Sequence, residues 1–236
     1  MRAIVFDFFG TLTDPAAEND RLATFAATAS RLGVPVDRFV AAMTESFGRR
    51  ATGVYGSTRD TLRAMAQACD ADPSEERLTA AVATHHAGAE TVRRPRPEAI
   101  RVLGQLRARG YRLGLLSDCS SELCEAWPDT PYAPMIDTPV FSWREGCRKP
   151  DPRLYAAVAA RLDVAPAECW FVGDGGSREH DGARRAGMRP ILVTNAAYPG
   201  VGELRTDPDT YVPDHQIPDL SALPALLGLP ALSDHT

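Results

Sequence analysis

The chain has 236 residues, 44% of them hydrophobic and 24% charged, with a net charge of −5, a balance that suits a soluble protein with one sizeable core, or one core and a small satellite. The acidic balance gives no footprint for nucleic acid or an anionic membrane surface, and no apolar run approaches the ~20 residues that span a bilayer. No basic-then-apolar leader pattern opens the chain, and the five scattered cysteines form no Cys-x-x-Cys pair, so reduced thiols and a cytoplasmic setting are expected.

In chain order, Ile4-Val5-Phe6 reads as a buried parallel strand that ends at Asp7 and a Gly10-Thr11 turn. In open α/β sheets that edge is where ligands bind, and a carboxylate there can be a nucleophile, a metal ligand or a helix cap. Residues 16–90 carry only helical signals. Arg21 to Leu32, Val36 to Phe47 and Thr58 to Cys69 have apolar residues at helical spacing, and Asp72-Pro73-Ser74-Glu75-Glu76 opens a fourth helix that runs to about Ala89. The stretch predicts an all-helical insertion of roughly 75 residues.

From Pro95 the pattern alternates. Helix Pro97 to Arg109 leads to a strand, Arg112 to Leu116, that ends at Ser117-Asp118; a short strand, Pro139 to Ser142, precedes Gly146-Cys147-Arg148-Lys149-Pro150. Helix Asp151 to Leu162 is followed by strand Cys169 to Val172 with Gly173-Asp174 at its end, helix Asp181 to Ala186 and strand Ile191 to Val193. Tyr211-Val212 reads as a last edge strand and Leu220 to Leu227 as a closing helix. This alternation predicts an α/β fold, a doubly wound, Rossmann-like parallel sheet built from residues 1–15 and 91–236, with residues 16–90 as a small all-helical cap.

Strand ends on one edge of a parallel sheet converge, so Asp7, Ser117, Lys149 and Asp174 can share a pocket despite their separation. Lys149 is the only lysine among 26 basic residues, and a compact ammonium is not interchangeable with a guanidinium. Plainer readings exist for each: Asp7 as a cap, Ser117-Asp118 as a helix start, Lys149 as a surface group.

The ordered set Asp-x-x-Gly-Thr-Leu, apolar strand–Ser, Lys-Pro and Gly-Asp-x-x-x-x-Glu resembles the haloacid dehalogenase superfamily of hydrolases, and the helical insertion resembles that superfamily's C1-type cap. The resemblance implies that Asp7 attacks phosphorus to give an aspartyl-phosphate that water later hydrolyses. It implies Mg²⁺ held by Asp7, the Phe9 carbonyl and Asp174, with Glu179 binding the ion directly or through water. Ser117 and Lys149 would bind phosphoryl oxygens, assisted by Thr11. Asp181 competes with Glu179 for the metal role, and the distance to Gly182-Ala183 favours Glu179. Substrate contacts in the cap would come from Arg49, Arg50, Tyr55 and Arg59, although Arg49-Arg50 and His85-His86 also read as surface groups. The implied partner is a small phosphorylated metabolite, with no nucleic acid or membrane, bound by a monomer or homodimer.

One position departs from the phosphatase pattern. Phe9 stands where most phosphatases of the superfamily carry a second aspartate that protonates the leaving oxygen and activates water, work worth roughly 10²–10⁴ in rate. The expected substrate therefore has a good leaving group, such as an acyl or aryl phosphate, or supplies its own proton. The metal-free dehalogenase branch has an aromatic residue there, and the Lys149–Tyr155 spacing also looks dehalogenase-like. Two alternatives accordingly accompany the phosphohydrolase reading: a metal-independent 2-haloacid hydrolase and a non-catalytic binding protein. The phosphonate hydrolase branch uses a cap lysine, and residues 16–90 contain none.

Overall fold

A computed structural model describes residues 2–200 and 207–229. Its centre is β1 (Ala3–Phe6), four consecutive apolar residues with no exposed surface. Such a strand is stable only when covered on both faces. It pairs in parallel with β2 (Arg112–Ser117) on one side and β4 (Cys169–Gly173) on the other. With β3 (Thr138–Phe141), β5 (Arg189–Val193) and β6 (His215–Ile217), the sheet runs β3-β2-β1-β4-β5-β6, all parallel. The winding reverses between β1 and β4, which opens a crevice beyond their carboxyl ends.

Side chains alternate between two apolar layers, as the two-residue period of a strand requires. Ile4, Phe6, Leu113, Leu115 and Val172 face one layer with α6 (Ala99–Ala108). Ala3, Val5, Leu116 and Phe171 face the other with α9 (Pro152–Leu162).

Between β1 and α6 the chain forms α1 (Asp20–Leu32), α2 (Val36–Glu45), α3 (Phe47–Arg50), α4 (Thr58–Gln67) and α5 (Glu75–Val92). Their buried apolar residues, from Phe25 to Ala81, make a cluster of their own. A Ser57–Asp60 capping box starts α4 and Ser74 caps α5. The chain leaves and re-enters the sheet unit at one neck, where Thr13 bridges Pro95, the Asp14 N–H donates to the Arg94 carbonyl at 2.8 Å, and the two side chains pair at 2.8 Å.

Two expectations need correction. Tyr211-Val212 is not a strand; Val212 is exposed, and the edge strand is His215–Ile217, whose Ile217 is buried against the sheet. Val36 to Phe47 is not one helix, because Ser46 ends α2 and the chain restarts as α3. Among the described residues no helix is long and apolar enough to cross a membrane, and all five cysteines are buried free thiols.

Candidate active site

The register sets the site. Phe6 lies level with Leu115 on β2 and Val172 on β4, so Asp7 leaves the sheet between the ends of its two neighbours, one residue below Ser117 and Asp174. The chain then turns sharply: the Phe8 carbonyl accepts the N–H groups of Thr11, Leu12 and Thr13 at 3.3, 2.9 and 3.1 Å. Gly10 takes φ +71°, and a Cβ there would come within 2.8 Å of Asp174 Oδ2, so only glycine lets this turn approach the acid. Buried donors hold the turn from behind. Asn195 donates to the Gly10 carbonyl at 3.0 Å, Arg96 to that of Thr11 at 3.3 Å and the Tyr132 hydroxyl to that of Leu12 at 2.8 Å.

Lys149 arrives from the segment that follows β3. Its Nζ donates to Asp7 Oδ1 at 2.5 Å and Glu179 Oε2 at 2.6 Å. Asp118 steadies this segment by accepting the Lys149 N–H at 2.9 Å and Arg148 Nε at 3.1 Å. Glu179, the first residue of α10 (Glu179–Arg185), is fully buried. Its Oε1 accepts the Gly175 N–H at 2.8 Å, and its carbonyl accepts the Tyr155 hydroxyl at 3.0 Å. Asp181, by contrast, pairs with Arg184 and Arg185 on the outer side of α10. The hydroxyls of Ser117 and Thr11 are buried and have no hydrogen-bond partner among the described residues.

The site gathers buried acids. Asp7, Asp174 and Glu179 each place a carboxylate oxygen so that all three lie within 4.8 Å of one another. Lys149 pairs with two of these buried acids, Asp7 and Glu179. Burial, with the charges of Glu179 and Asp174, pushes Asp7 up to about 8 against the pull of Lys149. Burial likewise raises Glu179. Burial works against charge on Lys149, but Asp7 and Glu179 outweigh it and hold the ammonium charged. An acidic set of hard oxygen donors this close together fits a divalent cation of the magnesium type.

A family model of haloacid dehalogenase-like hydrolases matches residues 1–187. The chain belongs to the haloacid dehalogenase-like hydrolases. It is 33% identical over 148 residues to a glyceraldehyde 3-phosphate phosphatase of Methanopyrus kandleri, covering 62% of each chain. Phosphatase relatives are matched over 47% to 62% of their own lengths. A (S)-2-haloacid dehalogenase 4A of Burkholderia cepacia is 26% identical over 97% of this chain and 95% of that relative. Its fold is shared by a HAD phosphatase from Thermococcus onnurineus, with TM-score 0.67 and 21% identity over 98% of this chain and 100% of that one.

In this haloacid dehalogenase-like hydrolase a cavity of ≈ 490 Å³ opens above Asp7, Lys149, Asp174 and Glu179. Its far wall comes from the helical unit and includes Leu22, Phe25, Phe47 and two arginines, Arg21 and Arg50. Arg21 holds Glu18 through two nitrogens at 2.7–3.2 Å and lies 4.9 Å from the Phe9 ring centroid. Arg50 is buried and ties the unit to the sheet: it donates to Ser120 Oγ at 2.6 Å and to the Met43 carbonyl at 2.9 Å. Beside it, burial opposes the charge on Glu122, but His85, Arg50 and Arg21 hold it below the usual carboxylate range.

The expected substrate contacts are placed as follows. Of Arg49, Arg50, Tyr55 and Arg59, only Arg50 lines the cavity. Arg49 is exposed and stacks on Tyr55 at 4.9 Å, while Arg59 is drawn to Glu75 and Thr79 on the outside of the unit. Arg21 was indistinguishable by sequence from any helical arginine, because it begins an amphipathic stretch. Arg96 sits in an Arg-Arg-Pro-Arg-Pro run that reads as a solvated link, yet it is only 1% exposed. Asp118 had a signal in the Ser117-Asp118 pair, which read equally well as a helix start.

Proposed function

We propose that the chain is a Mg²⁺-dependent phosphohydrolase of small phosphorylated metabolites, with Asp7 as nucleophile. In this reading residues 16–90 cap a catalytic core of residues 1–15 and 91–236, in a cytoplasmic monomer or homodimer. The observation that carries it is the buried group of Asp7, Asp174 and Glu179, whose carboxylate oxygens all lie within 4.8 Å of one another. Asp7, Asp174 and the Phe9 carbonyl would hold Mg²⁺, with Glu179 reaching it directly or through water, and the ion would neutralise charge on the substrate phosphate.

This chain's own groups do the rest. Lys149 orients Asp7 and balances the charge brought by the phosphoryl group. The Asp7 carboxylate attacks phosphorus, the bond to the leaving oxygen breaks, and an aspartyl-phosphate forms. The unpartnered hydroxyls of Ser117 and Thr11 supply hydrogen bonds to phosphoryl oxygens; a buried hydroxyl left without one costs about 1–3 kcal/mol. Water then cleaves the aspartyl-phosphate. The test is phosphate release from a panel of phosphorylated metabolites with Mg²⁺ and with EDTA. Release that stops with chelator and with Asp7→Asn supports the reading; turnover indifferent to EDTA overturns it.

Phe9, together with the nearly full-length similarity to a haloacid dehalogenase, favours one second reading. There Asp7 attacks carbon and a halide departs with no need of a proton. Halide release from 2-chloropropionate, unaffected by EDTA, would establish it.

A further inference from the structure

We infer that the phosphate this enzyme cleaves is carried by an aromatic alcohol, an aryl phosphate, whose ring packs against Phe9, Leu22, Phe25 and Phe47. The inference rests on the phosphohydrolase reading and narrows its substrate class.

Two independent features of the cavity converge on it. The first is the lack of an uncommitted carboxylic acid among the described residues. Beyond the metal-binding group, the carboxyl groups in the cavity wall are Glu18, Asp118 and Glu122, and each is committed elsewhere. Glu18 is gripped by Arg21, Asp118 accepts from the Lys149 N–H and from Arg148, and Glu122 is held ionised beside Arg50. His85 lines only a small cleft behind Phe9, where its Nδ1 faces Thr28 Oγ1 at 3.2 Å. A leaving oxygen that meets no such acid departs as an anion, which suits a phenolate and not an alkoxide.

The second feature is the wall itself. Phe9 lies two residues from the nucleophile, and half-buried Phe9 and Phe47, buried Phe25 and Leu22 line the same space. Leu22 is 59% exposed, an unusual degree for a leucine lining a site and one that a bound ring would cover. Arg21 and Arg50 spread their guanidinium planes over Phe9 at 4.9 Å and Phe47 at 5.6 Å. This fixes the rings. In the step, the bond from Asp7 oxygen to phosphorus forms and the bond from phosphorus to aryl oxygen breaks. The electron pair leaves on the phenolate oxygen and delocalises into the ring, and solvent supplies the proton afterwards.

The test compares phenyl phosphate, benzyl phosphate and acetyl phosphate with Mg²⁺. Phenyl and benzyl esters present similar rings, but phenol is a far stronger acid than benzyl alcohol. Phenyl phosphate should exceed benzyl phosphate in kcat/KM by about 10²-fold or more, and Phe9→Asp, which restores a proton donor, should narrow that ratio by raising the benzyl rate. Leu22→Ala, at an exposed position that does not threaten folding, should raise KM for phenyl phosphate about three- to tenfold relative to acetyl phosphate. Equal phenyl and benzyl rates, an unmoved KM ratio in Leu22→Ala, or turnover of acetyl phosphate alone would overturn the inference while leaving the phosphohydrolase standing. No phosphate release from any of the three would overturn the reading beneath it.

Discussion

Asp7 and Lys149 are bound in one electrostatic unit, and each predicts a different outcome on replacement. Burial, with Glu179 and Asp174, pushes the native Asp7 carboxyl up to about 8 from the ordinary 3.8. The unfolded chain therefore releases its proton first, and the site's contribution to stability is lost as pH rises through that window. Metal-free Asp7→Asn should consequently melt higher than the parent at pH 8, by at least a few degrees, with the gap closing toward pH 5, while its hydrolytic activity disappears; calorimetry across pH reads the first and product release the second. Lys149→Arg keeps the charge but cannot fit a planar fork where one ammonium lies 2.5 and 2.6 Å from two carboxylates. A loss of about 10²-fold or more in kcat is expected, measured on any substrate that the parent turns over. Lys149 could be found in the sequence because it is the chain's only lysine and follows a strand. Arg96, Asn195 and Tyr132, which hold the turn after Asp7, could not. They come from three separate segments, and only the folded chain brings their donors to consecutive carbonyls.

Among the helical elements, α1 and α5 meet around His85, which is buried, stacked at 7° on Phe25 and close to Thr28. Burial lowers its pKa from 6.5 to about 4, with Arg50, His86 and Arg21 adding to the effect and Glu122 opposing it. The native state therefore resists the proton that the unfolded chain takes up below pH 6.5, so stability falls as pH drops from about 6.5 to about 4. The cost is on the order of 2 kcal/mol at pH 5, and His85→Gln should flatten that part of the stability profile in urea unfolding. The helical signals of this region were legible because apolar residues recur at helical spacing and Ser57 and Ser74 sit where caps belong. Other boundaries were not. The break between α2 and α3 falls at Ser46, whose Oγ meets Met65 Sδ of α4 at 3.2 Å, a tertiary contact with no local signature. The edge strand was misplaced because Tyr211-Val212 has strand-like residues, whereas His215–Ile217 is fixed by pairing to β5. The seam between helices and sheet, made by Thr58 with Ser121 and Glu125 and by Trp143 with the Gly56 carbonyl, was likewise beyond sequence reading.

For the whole molecule, alternation of strands and helices was enough to expect a parallel sheet, and the polar residues at strand ends were enough to expect one shared site. The strand order was not available, since every order with β1 inside would produce the same buried runs. That order matters because it puts Asp7 and Asp174 on adjacent strands at the reversal of winding. If these carboxylates hold Mg²⁺, the ion binds the native chain alone and stabilises it. At about 100 times its Kd it should raise Tm by about 5–10 °C, and Asp174→Asn should lose most of that shift. A melting point indifferent to magnesium in the parent would count against a resident ion.

The neck at Thr13 and Pro95 has an evolutionary corollary. A polypeptide that departs from and rejoins its scaffold at a single doorway can have everything beyond that doorway exchanged, lengthened or replaced without disturbing the strands behind it. If the helical unit sets selectivity, grafting another bundle there would change it, with the junction at residues 13–14 and 94–95 as the natural place to cut.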